Sequence, residues 1–139
     1  MHASELTFGI EIETVAPDSA IENDGLRIGP YKRGIQVPYL PTGWKAERDS
    51  SIDNSAGGHK CEIVSPVLRG AEGLEQVALV LQTLEAKGHR VNASCGVHVH
   101  VGWSRTWSSQ ALARLITITA YLERGLYAGI EVGGATSLE

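Results

Sequence analysis

The sequence predicts an α+β domain in which two helices pack on one face of a mostly antiparallel β-sheet. Short segments alternate apolar and polar residues with a period of two, which is typical of strands that bury one face. Two longer segments repeat aliphatic residues at intervals of three and four, the spacing of an amphipathic helix. The first strand segments follow one another without a long helix between them, and this order favours antiparallel pairing.

The length and composition indicate the class of protein. The chain has 139 residues, of which 42% are hydrophobic and 20% are charged, and these values fit one globular domain over residues 1–139. The last residues, about 133–139, are small and polar. We expect a disordered tail or a cloning remnant there.

The charge and the cysteine content indicate partners and compartment. The net charge is -4 and the basic residues are scattered, so we expect neither nucleic acid nor a membrane as a partner. No apolar run approaches the roughly 20 residues of a membrane span, and no secretory signal follows Met1. Cys61 and Cys95 give no disulfide framework, although a single bridge is compatible with the count. We therefore expect a cytoplasmic protein.

The first predicted strand covers residues 6–15. Glu11 and Glu13 fall on one of its faces, about 7 Å apart along the strand. In surroundings of low dielectric their repulsion would be costly without a cation between them, whereas on a solvated face the pair would cost little. Both alternatives, a cation site and a charged outer face, are open at this point. The opposite face is apolar and carries Phe8, Ile10 and Ile12.

The next part of the chain is rich in turns. Residues 16–43 contain several Pro and Gly turn signals, with short extended pieces expected at residues 26–28 and 34–39. Residues 44–49 predict a strand that runs into a turn at Asp49. Taken alone, Asp49 is more typical of a turn acid than of a site residue.

A third strand is predicted over residues 60–67, where Pro66 closes it. Cys61 and Ile63 share one face, and Glu62 lies on the other. Taken alone, Glu62 is more typical of a surface charge than of a ligand.

Two helices are predicted in the second half. The first covers residues 70–88, with Gly88 just past its end, and a short strand follows at residues 89–93. The second is capped by Ser108 and covers residues from about 109 to about 125 or beyond. The apolar stripe of the first helix comprises Leu74, Val77, Ala78, Leu81 and Leu84. The stripe of the second comprises Leu112, Leu115, Ile116, Thr119, Leu122 and Leu126.

The central strand lies within residues 95–103, where valine and histidine alternate. The period of two puts His98 and His100 on one face and the valines on the other. Two neighbouring imidazoles suit a metal ion or a phosphate group. The alternative is a half-exposed strand that happens to carry two histidines. The valines are Val97, Val99 and Val101.

The predicted strands share one design, in which one face is aliphatic and the other carries acids or imidazoles. If the helices cover the aliphatic face, the polar face forms the floor of an open cleft. Carboxylate oxygens with one imidazole suit Mg²⁺ or Mn²⁺, whereas a histidine-rich site would suit Zn²⁺. Because acids outnumber histidines, we expect Mg²⁺ or Mn²⁺. The residues on this face are Glu11, Glu13, Glu62, His98 and His100.

Four blocks of sequence, in this order, resemble the amidoligase family, which is grouped with glutamine synthetase and glutamate–cysteine ligase among the carboxylate–amine ligases. Each block is weakly specific alone, and the four in order are more specific. The resemblance covers residues from about 7 to 126 and implies one half of a glutamine-synthetase-like fold. The blocks are residues 8–13 (FGIEIE), 44–51 (WKAERDSS), 62–66 (EIVSP) and 95–101 (CGVHVHV).

The resemblance implies a metal and nucleotide site. Glu11 and Glu13 match the Glu-x-Glu pair whose carboxylates hold divalent ions in the family. Glu62 matches an acid that completes a metal site. His98 matches a metal ligand near the phosphates of the nucleotide. The implied cofactors are ATP and Mg²⁺ or Mn²⁺.

The resemblance also implies a reaction. A substrate carboxylate attacks the γ-phosphate of ATP to give an acyl phosphate, and an amine then displaces phosphate to form an amide or isopeptide. Asp49 and Glu62 match acids that border the amine, and His100 matches a histidine that touches phosphate or substrate. The expected substrates are small-molecule or peptide carboxylates and amines.

The resemblance covers only the N-terminal half of the family pattern. Family enzymes continue into a half that supplies arginines for the phosphates, a further acidic ligand and the rest of the sheet. We therefore expect a truncated ligase, a site completed by a second chain, or a remnant that binds metal or ligand without catalysis. An exposed sheet edge would favour a homodimer formed by strand pairing. A zinc hydrolase that uses His98 and His100 is the weakest alternative.

Overall fold

The computed structural model of the protein describes residues 6–103 and 107–134. The chain forms two compact units that divide after Gly102. The architecture is α+β, as the sequence predicts. The first unit contains β1 (Thr7–Ala16), α1 (Asp18–Glu22), β2 (Ile35–Gln36), β3 (Lys45–Glu47), β4 (His59–Val64), β5 (Leu68–Arg69), α2 (Gly70–Ala86) and β6 (Val97–Val101), and the second contains α3 (Ser109–Gly134).

The sheet is built around β1, which pairs with β4, β5 and β6. The strand order is β2-β3-β4-β1-β5, with β6 added on β1, and every pair of these strands is antiparallel. Strand β1 is long enough to serve three partners because its ten residues contain no proline and alternate between apolar and polar side chains.

The core lies on the apolar face of these strands. Ile12 of β1 and Cys61 and Ile63 of β4 are buried, as the period of two predicts. Trp44, at the start of the segment that leads into β3, has no exposed surface, and its Nε1 donates a hydrogen bond to Oε1 of Gln76 at 2.7 Å. This bond lets the indole N–H enter the core without an unsatisfied donor.

Helix α2 contacts the core through part of the predicted stripe, because Leu84 is buried and Val77 packs against the core. Val80 and Leu84 are buried, but Leu74 and Leu81 are 64% and 48% exposed. The contact face is set by Gly73, where a Cβ would lie 2.9 Å from Cβ of Leu68 and 3.0 Å from the ring of Phe8. The pattern of apolar residues does not predict this contact, because the closest approach occurs at a glycine, which has no side chain.

The end of α2 is as predicted. Gly88 has a positive φ of 79°, and the N–H of His89 donates to the carbonyl of Leu84 at 3.0 Å, which closes the last turn. The strand predicted for residues 89–93 is wrong, because only Arg90 pairs there, with Val15, as an isolated bridge.

The turn-rich region contains more structure than the sequence predicts. The short helix α1 follows β1 directly, and β2 forms within the extended piece expected at residues 34–39. The piece expected at residues 26–28 is not a strand. The strand expected over residues 60–67 ends at Val64, and β5 begins after Pro66.

The second unit contains α3, which begins where Ser108 was expected to cap it. Oγ of Ser108 accepts a hydrogen bond from the N–H of Ala111 at 3.1 Å. The helix continues to Gly134, which agrees with the expectation of an end at about residue 125 or beyond. Its packing on the sheet and the single-domain organisation stay predictions, and residues 135–139 of the expected tail lie outside the described residues. None of the described helices combines the length and the apolar character that crossing a membrane requires.

The close approach of the backbone at Gly73 leads to a prediction about stability. We expect Gly73→Leu to lower the free energy of unfolding by about 1–3 kcal/mol, because the new side chain meets Phe8 and Leu68. Gly125→Ala is the matched control, since a Cβ there meets nothing within 4 Å and should raise helix propensity. Urea denaturation of the two variants checks this. Equal stability of Gly73→Leu and the wild type would contradict the assigned contact face.

Candidate functional site

Three glutamates lie in one row across three neighbouring strands. Glu47 of β3 is directly opposite Glu62 of β4, and Glu62 is directly opposite Glu13 of β1. Directly opposite residues of an antiparallel pair share a face and lie about 4.5–5.5 Å apart at Cβ. The register therefore holds three carboxylate side chains on the polar face of the sheet.

The histidines of β6 lie beside this row. His98 is directly opposite Glu11, and its Nδ1 lies 3.4 Å from Oε2 of Glu11. Nε2 of the same ring lies 3.7 Å from Oε1 of Glu13. His100 is one step further along, with its Nε2 3.2 Å from Oε2 of Glu11.

Asp49 reaches the same face from the turn after β3. Its Oδ1 accepts hydrogen bonds from both the N–H and the Oγ of Ser51, each at 2.7 Å. These bonds hold the pKa of Asp49 below its ordinary value, so the carboxylate stays ionised. The predicted turn acid is thus also positioned at the site.

The ligand atoms form two groups that share Glu62. Oxygen atoms of Glu11 and Glu62 and a ring nitrogen of His98 all lie within 4.8 Å of one another. Carboxylate oxygens of Glu13, Asp49 and Glu62 do the same. Each group offers three ligand atoms around one point, which is a spacing that a single ion can bridge.

The electrostatics of Glu62 favour a bound cation in the cluster. Glu62 is only 3% exposed, and burial raises its pKa to about 7, with repulsion from Glu11 and Asp49 adding to the effect. Within residues 6–103 and 107–134, the ion pairs of the site acids involve histidine, and no lysine or arginine joins them. A buried anionic cluster of this kind is stabilised by a bound cation.

The donor chemistry fits a hard divalent ion. One group is all oxygen, and the other has two carboxylates and one imidazole. Mg²⁺ and Mn²⁺ favour such oxygen-rich sets, with water completing the coordination. The two histidines do not join in one three-ligand group among the described residues, and this disfavours a histidine-rich zinc site.

Two backbone groups fix the outer acids. Oε2 of Glu13 accepts a hydrogen bond from the N–H of Gly96 at 2.8 Å, which leaves Oε1 facing His98. Oε1 of Glu47 accepts from the N–H of Lys32 at 3.1 Å. Both carboxylates are buried, so these bonds set their orientation.

The structure brings the residues singled out from the sequence to one face. Five of them supply ligand atoms to the two groups. Within the described part of the chain His100 belongs to neither group and lies beside Glu11. Sequence reasoning missed Glu47, although Lys45 and Glu47 alternate with the buried Trp44 and Ala46. The alternation predicts the face of Glu47, but only the β3–β4 register shows that it meets Glu62. The five are Glu11, Glu13, Asp49, Glu62 and His98.

Comparison with known protein families gives a match to a family model. A protein-family model described as "Putative amidoligase enzyme" matches residues 4–136. No curated protein and no solved structure matches the chain. The family match covers both the strands that carry the site and α3.

The raised pKa of Glu62 predicts a pH-dependent stability in the absence of metal. Glu62 binds its proton more tightly in the folded chain, with a pKa of about 7, than at its ordinary value of 4.5. This group leaves the free energy of unfolding unchanged below about pH 4.5. Between about pH 4.5 and 7 the free energy of unfolding falls, because the folded chain keeps a proton that the unfolded chain releases, and above about pH 7 it stays lowered.

Glu62→Gln removes this charge. In the presence of a chelator, we expect the variant to unfold with a free energy about 1–3 kcal/mol higher than the wild type at pH 8, and with a smaller difference at pH 5. Urea denaturation at the two pH values measures this. Glu75→Gln on the exposed surface of α2 is the control and should show no such pH dependence. A Glu62→Gln effect of the same size at both pH values would contradict the burial argument.

Proposed function

The chain belongs to the amidoligase family, and from this premise we propose its function. The proposed activity is ATP- and divalent-metal-dependent ligation of a carboxylate to an amine, carried out by this chain or by a larger site to which it contributes. The supporting observation is the pair of three-ligand groups that share Glu62 on a face without lysine or arginine partners among the described residues.

Five residues would hold the metal. Glu11, Glu62 and His98 would bind one Mg²⁺ or Mn²⁺ ion, and Glu13 and Asp49 would bind another together with Glu62. Bound there, the ions would supply the positive charge that phosphoryl transfer needs at the γ-phosphate. The strands position these ligands before substrate binds, so little reorganisation is needed during the reaction.

The proposed reaction has two steps. The substrate carboxylate displaces ADP from the γ-phosphorus of ATP, which gives an acyl phosphate, and the amine then displaces phosphate to form an amide. Asp49 is ionised and half-exposed, so it can attract and orient an ammonium substrate at the rim of the cluster. His100, which is 63% exposed, can donate a hydrogen bond to a phosphate or carboxylate oxygen.

Basic residues border the other end of the face. A cavity of about 530 Å³ is lined by Arg27, Arg48 and Lys60. Arg48 precedes Asp49 in the chain, and Lys60 lies two residues before Glu62 on the same face of β4. These cations would attract the anionic substrates.

Metal binding can be measured without knowing the substrates. We expect Mg²⁺ or Mn²⁺ to raise the melting temperature, because an ion present at a hundred times its Kd stabilises the folded state by about 2.7 kcal/mol. Glu13→Gln and His98→Ala should each reduce the shift, whereas Glu75→Gln should retain it. Wild-type melting that is indifferent to Mg²⁺ and Mn²⁺ would contradict the proposed metal site, and a shift with Zn²⁺ alone would favour the zinc alternative.

Turnover separates a ligase from a module that only binds. We expect ADP and phosphate to be released only when a carboxylate and an amine are both present, since neither alone completes the reaction. Glu11→Gln should lower this rate by about a hundredfold or more, whereas Glu75→Gln should leave it unchanged. Metal binding without nucleotide turnover across a panel of amino acids and short peptides would favour the non-catalytic alternative.

A further inference from the structure

Strand β6 has one paired edge and one edge without a strand partner among the described residues. The ladder to β1 includes the bond from the N–H of Glu13 to the carbonyl of Gly96 and the bond from the N–H of Gly102 to the carbonyl of Thr7. Alternate residues of an antiparallel strand direct their backbone groups to the same neighbour. The backbone groups of His98 and His100 therefore serve β1, and those of the valines face the open edge.

The residues of β6 are not of the types that usually protect a strand edge. Proteins shield free strand edges with lysine, proline or a bulge, because an unpaired row of N–H and C=O groups is a template for another strand. Residues 97–101 contain none of these residue types and no bulge interrupts their register with β1. The side chains facing the apolar side are also uncovered: Val97, Val99 and Val101 are 60%, 63% and 60% exposed.

The sequence of β6 identifies a second copy of this chain as the partner. Val-His-Val-His-Val reads the same in both directions about Val99. A two-fold axis at Val99 would therefore place valine opposite valine on one face and histidine opposite histidine on the other. A two-fold interface uses the same patch of both subunits, so it requires this self-complementarity.

We propose that two copies of this chain associate by antiparallel pairing of β6 with β6, centred on Val99. In this register Val99 faces Val99 of the second copy, and Val97 faces Val101. These are the positions whose backbone groups point outward, so each opposing pair exchanges both of its N–H···O bonds. The pairing continues the sheet across the two copies without disturbing the ladder to β1.

The same register extends both faces of the sheet. On the apolar side, Val99 and Val101 line a groove of about 590 Å³ with Phe8, Ile10 and Leu74, and the valines of the second copy would continue this surface. On the polar side, His98 would lie directly opposite His100 of the second copy. Each acid cluster would then have an imidazole of the other chain at its border.

Sedimentation equilibrium of the full chain tests the association. We expect the wild type to dimerise and Val99→Lys to weaken dimerisation by about tenfold or more, because two lysines would face each other at the axis. Val67→Lys is the matched control, since Val67 is 80% exposed and lies outside β6. Circular dichroism identifies a variant that fails to fold. If Val99→Lys fails to fold, Val99→Thr replaces it in the test, because threonine keeps strand propensity, and we expect it to weaken dimerisation by less than the lysine would. A monomeric wild type, or a dimer equally stable with Val99→Lys, would overturn the proposal.

Cysteine cross-linking tests the register. In a Cys95→Ser background, Val99→Cys should form a disulfide-linked dimer on oxidation, because directly opposite Cα atoms lie about 5.5 Å apart, within the range of a disulfide. Val97→Cys is the control, since its counterpart would be about four residues, or roughly 14 Å, away along the paired strands. Cross-linking of Val97→Cys as efficient as that of Val99→Cys would overturn the centring on Val99.

Discussion

The register between β1 and β4 is the constraint on which the site depends. Ile12 is directly opposite Ile63, and both side chains are buried in the core. A slip of one residue would turn these apolar side chains to the polar face and send Glu13 into the core, which makes the register strongly specified. Burial on one face therefore forces Glu13 and Glu62 to face each other on the other, although like charges in that arrangement destabilise the sheet.

The core thus holds the acids in a position that they would not adopt alone. The effect on ionisation is seen at Glu62. This residue is buried and surrounded by other carboxylates, and its pKa is raised to about 7. Replacing Glu62 by an uncharged residue would relieve this repulsion and, under the proposed function, would remove a metal ligand at the same time. Stability and metal affinity are therefore expected to oppose each other at this position, as is common where a fold maintains a functional site.

The sequence predicts strands and faces better than it predicts pairing. The alternation in β1 and β6 is enough to assign Glu11, Glu13 and the two histidines to their faces, because the period of two is a local property. That His98 meets Glu11 depends on the chain returning in a particular register, which the short local pattern does not contain. Part of the contact face of α2 is similarly hidden, since the closest approach is at Gly73, which has no side chain, against Phe8.

The histidines and the valines of β6 have different roles, because they alternate along the strand. The histidines use their backbone groups to pair with β1 and their side chains to border the acids, so their positions are fixed by the ladder. The valines direct their backbone groups away from β1 and leave their side chains exposed on the apolar face. A change of valine side chain therefore acts on the surface and leaves the backbone ladder to β1 in place. For this reason, the exposed valine side chains can be altered without moving the backbone that positions His98 and His100 beside the acids.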